Sequence, residues 1–169
     1  VGLAERGRGE WRRAIDALDR SVELSKERHT AVEGQSLRLA LLAESYRGLG
    51  DIEHARELGQ EAIDVARVQG HAIWEAYANL ALARVLLGAG SADAHEQAAA
   101  VLSRALRLAR RSRTKIIEPF VHEELAELAR ACGDSSRREH ELHEARRLFT
   151  EVGAPAQAAR LSSAAALQA

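Results

Sequence analysis

Apolar residues recur along the chain at spacings of three and four, which is the stripe of a helix facing a core. Between Glu10 and Arg28 the stripe is Trp11, Ala14, Ile15, Leu18, Val22 and Leu24 or Ser25, so residues 1–7 read as the tail of a preceding helix. Thr30, with Glu33 three residues on, fits a capping box that opens a second helix carrying Leu37, Ala40, Leu41, Ala43 and Leu49 and stopping at Gly50. Asp51 can cap a third, with Ile52, Ala55, Leu58, Ala62, Ile63 and Ala66 inward and Gly70 at its end. Gly59 falls inside it, where glycine costs about 1 kcal/mol relative to alanine, so it predicts close approach of a neighbouring helix. A fourth helix spans His71 to Leu87 with Ile73, Trp74, Tyr77, Leu80 and Ala81. Segment 88–97 is expected to be the loosest connection, followed by a helix around Glu96 to Arg111 that buries Ala98, Val101, Leu102, Ala105, Leu106 and Ala109. Pro119 is tolerated only in a first turn, so the next helix starts near Ile117 or is kinked. It carries Phe120, Val121, Leu125 and Leu128 to a stop at Gly133. Asp134 then caps a helix with Leu142, Ala145, Leu148 and Phe149, and an Ala-rich helix follows from Ala156 to about Leu167.

The helices repeat. VGLAERGRG (1–9), LAESYRGLG (42–50), LARVLLGAG (82–90) and LAELARACG (125–133) align without gaps at starts 41, 40 and 43 residues apart. Each block has a small residue second and a closing glycine, as expected where a helix packs closely and then stops. Such a period predicts an all-α chain folded as an α-α superhelix, a solenoid of antiparallel helix pairs. The expected units are a truncated pair at 1–28, pairs at 30–69, 71–112 and 114–151, and a capping helix at 155–168. They form a single repeat domain, expected to be a fragment of a larger protein because residue 1 falls inside a helix pattern.

Composition agrees with closely packed helices: the 169 residues are 46% hydrophobic but only 4% aromatic, so the core is built of Leu, Ala, Val and Ile. The 24 basic and 25 acidic residues are interspersed, which is not the footprint of a nucleic-acid binder. Apolar runs fall short of the 18 or so residues of a membrane span, and the single Cys132 has no disulfide partner in the chain. A cytoplasmic setting is the default expectation. Arg supplies 22 of the 24 basic residues, a bias expected of a GC-rich bacterial genome.

Within each repeat, a small residue in the first helix, a glycine at the turn and Ala14, Ala55 or Ala98 in the second helix, with Ala62, Ala105 and Ala145 seven residues after the corresponding site, resemble the tetratricopeptide repeat (TPR) pattern. The resemblance covers nearly the whole chain. Arg138 replaces the small residue in the last repeat, Gly59 stands where an aromatic or aliphatic residue is usual, and Leu39, Asn79 and His122 occupy the usual Trp position. Segment 116–154 further resembles the C-terminal TPR region of bacterial class III adenylate/guanylate cyclase–ATPase signalling proteins. Large ATP-binding LuxR-type transcription regulators are similar there as well.

This resemblance implies a non-catalytic domain that binds a protein or peptide, or other domains of its parent chain, with no cofactor and no metal. It implies a concave face lined by the first helices. By register the groove positions are Leu37, Ala40, Glu44 and Arg47, then Tyr77, Leu80, Arg84 and Leu87, then Phe120, Glu123, Glu127 and Arg130. Glu44, Arg84 and Glu127 are equivalent by repeat, as are Arg47, Leu87 and Arg130. Alternating charge with exposed Tyr77 and Phe120 suits a partner bearing both charges and apolar anchors; the same residues equally fit solvated faces that form ion pairs within the chain. An effector bound inside the superhelix and a homodimer formed over Val1 and Leu3 are the rival uses.

Other residues carry less. HELHE (140–144) lacks the His spacing of HExxH zinc proteases, and His122, His140, His143 and Glu144 read as a surface cluster. The basic run RLARRSRTK (107–115) offers Arg forks for phosphate but fits cations at a helix C-terminus better. Trp11 and Trp74 are expected to pack at helix starts. Cys132 lacks a placeable base, and Glu123 and Glu124 point to different sides of their helix.

Overall fold

The computed structural model describes residues 10–27, 34–112 and 115–166, and among these the chain is helical with short turns. The helices are α1 (Trp11–Glu27), α2 (Gln35–Leu49), α3 (Ile52–Val68), α4 (Ala72–Ala89), α5 (Ala92–Arg111), α6 (Glu118–Ala131), α7 (Ser135–Glu151) and α8 (Pro155–Ala166). Helices α2/α3, α4/α5 and α6/α7 form the antiparallel pairs of an α-α superhelix, and α8 packs on α7 as the end cap.

Glycine ends the helices where the sequence predicts. Gly50, Gly90 and Gly133 have φ of 86°, 70° and 74°, a region other residues rarely adopt. At Gly50 the N–H donates to Arg47 O (3.0 Å) and that of Asp51 to Tyr46 O (3.0 Å), the paired bonds of a Schellman stop. Gly133 and Asp134 repeat them on Arg130 O (3.1 Å) and Ala129 O (2.9 Å). The next helix then opens at once: Asp51 accepts from His54 N (3.2 Å), Ser91 from Ala94 N (3.1 Å) and Asp134 from Arg137 N (2.9 Å). A turn of two or three residues closed by a glycine and opened by a cap makes consecutive helices run antiparallel.

Ser91 also corrects an expectation. Segment 88–97 is not a loose connection, because α5 starts at Ala92 and runs for 20 residues. The additional residues became one more helical turn. Helix α6 starts at Glu118, which places Pro119 in its first turn. The capping box at Thr30, the helix tail at residues 1–7 and the flank at Val1 and Leu3 lie outside the described residues.

The first helix of a pair is enclosed more fully than the second. Leu39 to Ser45 of α2 and Ala78 to Ala83 of α4 are buried without a break, since each of these helices meets its partner and its counterpart in the adjacent pair. Helix α3 instead buries one stripe, Ala55, Gly59, Ala62, Ile63 and Ala66. At Gly59 a Cβ would stand 3.1 Å from Leu82 Cδ1 and 3.5 Å from Leu82 Cα, so the glycine brings α3 close onto α4. At the far end Leu161 of α8 covers Ala145 and Phe149, and Phe149 meets Phe120 edge-on at 4.9 Å.

Candidate partner-binding groove

Helices α2, α4 and α6 stand side by side, and the register-derived groove positions lie along them. They divide into three groups. Tyr77, Leu80 and Arg84 of α4 meet Phe120 of α6 around a cavity of about 210 Å³, closed by Ile116 and Ile117 at the turn into α6. Ile117 is buried, whereas Ile116 is 63% exposed and stands at the mouth as an apolar side chain.

The second group is electrostatic and joins three repeats. Arg84 donates from Nη1 to Glu44 Oε1 (2.8 Å) and from Nε to Glu124 Oε1 (2.7 Å). Glu44, expected as an outward groove charge, is buried at 3% exposure. The equivalent of Arg84 by repeat is Glu127, yet the partner in space is Glu124, one turn earlier on α6. Burial pushes the Glu124 carboxyl above its ordinary range, and the charge and hydrogen bond of Arg84 pull it back down. Arg84 is therefore already satisfied by two carboxylates. Ala40, another groove position, is fully buried in the core.

The third group lies apart from the cavity. Leu37 packs half-buried beside Ile15, Leu18, Leu41 and Leu42, and Leu87 packs against the main core. Arg47 lays its aliphatic stem beside Gly88, and its buried Nε has no hydrogen-bond partner. Glu123 is tied to the end cap, receiving Arg160 Nη2 at 2.9 Å on both oxygens. Glu127 and Arg130 pair with each other at 2.8 Å on an exposed face. Glu123 and Glu124 thus diverge, as expected. Sequence reasoning missed Glu124, Ile116 and Ile117 as site residues. The 40-residue spacing of Glu44, Arg84 and Glu124 was the available signal.

His122 also departs from expectation. It is buried rather than at the surface, with Nδ1 2.6 Å from Glu141 Oε2 and Nε2 4.0 Å from Glu118 Oε1. It joins α6 to α7 and is remote in role from exposed His143. Glu144 pairs with Arg147 (2.8 Å), whose hydrogen bond holds its carboxyl below the ordinary range. Among the described residues no group of three or more His, Cys, Asp or Glu is arranged to hold a metal ion. Cys132 is exposed. In the basic run, Arg110 bonds Glu118 (2.7 Å) and Lys115 bonds Glu151 (3.3 Å). No helix among the described residues is long and apolar enough to cross a membrane.

The helix pairs, the glycine stops and the side-by-side first helices define a TPR-like repeat fold. Two solved structures resemble it over 96% of this chain. One is BtubC (BKLC) from P. vanneervenii, with a TM-score of 0.68, 16% identity and 77% of that chain covered. The other is a candidate kinesin light chain of P. anserina with nearly identical TPR-like repeats, with a TM-score of 0.65, 15% identity and 88% of that chain covered. At such identity the likeness is one of fold. No family model matches the chain, and no curated protein matches it.

Proposed function

We propose that this chain is a non-catalytic protein-interaction domain that captures an apolar side chain of a partner peptide between α4 and α6. The observation that carries this reading is the cavity bounded by Tyr77, Leu80 and Phe120 with Ile116 exposed at its mouth. Its volume, about 210 Å³, is below the roughly 300–1,000 Å³ of most small-molecule pockets, which favours a side-chain anchor over an effector. Because Arg84 is neutralised by Glu44 and Glu124, recognition there is apolar, and charge selectivity falls to outlying Glu127 and Arg130.

Selection of random peptides displayed on phage tests this. The expected result is a consensus with an apolar anchor whose binding is lost in Ile116→Asp, a substitution at an exposed residue that leaves the thermal midpoint unchanged. A consensus without such an anchor, or binding indifferent to Ile116→Asp, refutes it. The resemblance of segment 116–154 supports a finer reading, in which the domain is the cytoplasmic regulatory region of a bacterial multidomain adenylate/guanylate cyclase. Sequencing the reading frame beyond both ends decides that point: cyclase and ATPase domains upstream support it. A helix-turn-helix downstream makes the domain part of a LuxR-type regulator instead.

A further inference from the structure

A second cleft lies on the opposite side of the superhelix, where the second helices α3 and α5 run beside one another without packing closely. It encloses about 650 Å³, three times the volume of the cavity between α4 and α6. Leu82 and Leu86 of α4, one turn apart and each 4% exposed, form the floor. Ala100 and Val101 make the α5 wall, and the small Ala100 leaves the cleft open.

The α3 edge is acidic. Glu53 and Glu57 stand one turn apart, both exposed, and neither is paired with a cation among the described residues. They differ in this from Asp64 with Arg67, Glu127 with Arg130 and Glu144 with Arg147, which are paired at i, i+3. Arg56 has the same spacing from Glu53, but it crosses the cleft and donates from Nη2 to Gln97 Oε1 at 2.9 Å. Arg56 therefore braces α3 against α5, and the two carboxylates keep their charge at the rim.

We propose that this cleft is a docking site for an amphipathic helix whose apolar stripe is flanked by Lys and Arg. Leucine-sized residues at i and i+4 of such a helix would lie over Leu82 and Leu86, whose spacing along α4 is one helical turn. Basic residues beside the stripe would meet Glu53 and Glu57, the complementary charge that selects this partner over an acidic one. The site is distinct from the cavity between α4 and α6: both use α4, but no lining residue is shared, the cleft taking Leu82 and Leu86 and the cavity Tyr77, Leu80 and Arg84.

The test uses three labelled peptides of about 18 residues, long enough to form helix once docked: Leu/Lys with leucines at i, i+3, i+4 and i+7, a Leu/Glu counterpart, and a Leu/Lys scramble. Fluorescence anisotropy measures affinity, and amide chemical shifts locate binding on the whole chain. The Leu/Lys helix is expected to bind saturably, to perturb α3 and α5, and to weaken with salt. Glu53→Lys/Glu57→Lys and Ala100→Arg should each raise Kd about fivefold or more, while Ile116→Asp leaves it unchanged. The proposal is overturned by equal binding of the Leu/Glu or scrambled peptide, by absence of saturable binding, or by affinity unchanged in Glu53→Lys/Glu57→Lys. Loss of binding in Ile116→Asp alone would assign the peptide to the other face and likewise overturn it.

Discussion

Removing the cation of the inter-repeat ion network isolates what that network does for the array. In Arg84→Met the side chain keeps most of its apolar length, but the Glu44 carboxyl, 4% exposed, and the Glu124 carboxyl, 13% exposed, lose their shared partner. Breaking a buried ion pair from one side costs about 3–5 kcal/mol, because a desolvated charge remains. Arg84 itself is 22% exposed, so the lower end, about 3 kcal/mol, is expected. The cost depends on pH. Glu124 already has its carboxyl raised by burial, and loss of Arg84 raises it further. A carboxyl raised in the folded state holds its proton more tightly there than in the unfolded chain, so stability is retained below the ordinary glutamate range and lost as pH rises through the raised value. The gap between Arg84→Met and the parent should therefore narrow as pH falls toward about 4.5. Adding Glu44→Gln and Glu124→Gln to Arg84→Met should recover most of the loss, since a neutral set leaves no carboxylate charge to desolvate. Urea unfolding followed by helical circular dichroism and by Trp fluorescence measures each step, and coincidence of the two signals tests cooperativity along the repeats. A loss below about 1 kcal/mol in Arg84→Met, of the size seen for exposed pairs, would refute the buried network. So would a triple variant no more stable than the single one.

Two further substitutions test the packing and capping. A Cβ on Gly48 would fall inside the Trp11 indole, so Gly48→Ala should displace α1 from α2 at a cost of about 1–3 kcal/mol and red-shift Trp11 emission in a Trp74→Phe background; an unshifted spectrum contradicts that docking. Asp134→Ala removes the acceptor for Arg137 N and should cost about 1 kcal/mol, read as a lower thermal midpoint with native helix content retained, whereas an unchanged midpoint rejects the cap.

The helix boundaries were legible where local chemistry sets them. Gly50, Gly90 and Gly133 stop helices, and Asp51 and Asp134 start them, through bonds within a few residues of the glycine or cap. The inward stripe of α3 was legible too, because that helix has one buried side. The inward and outward sides of α2 and α4 were not. Both helices are enclosed by neighbours on several sides, so burial runs without a break through Leu39 to Ser45 and Ala78 to Ala83, and no stripe separates core from groove. Repeat register alone then placed Glu44 outward, although the arginine of the next repeat draws it inward. Register also pointed from Arg84 to Glu127. A long arginine reaches a carboxylate one turn away, and Glu124 is the one within reach of both Arg84 and the core.

The same network constrains what each side of the superhelix can recognise. Among the charges on the first helices, Arg84 and Glu123 are engaged by other helices: Arg84 binds two neighbours, and Glu123 holds the end cap through Arg160. A ligand that competed for Arg84 would have to replace two part-buried, charge-assisted bonds, which disfavours a charged anchor there relative to an apolar one. On α3 the carboxylates of Glu53 and Glu57 form no ion pair among the described residues, so a cationic partner gains attraction without breaking one. On the two readings proposed above, one fold presents two chemically distinct surfaces: apolar recognition along the first helices, and acidic recognition outside, where α3 and α5 run side by side without close packing.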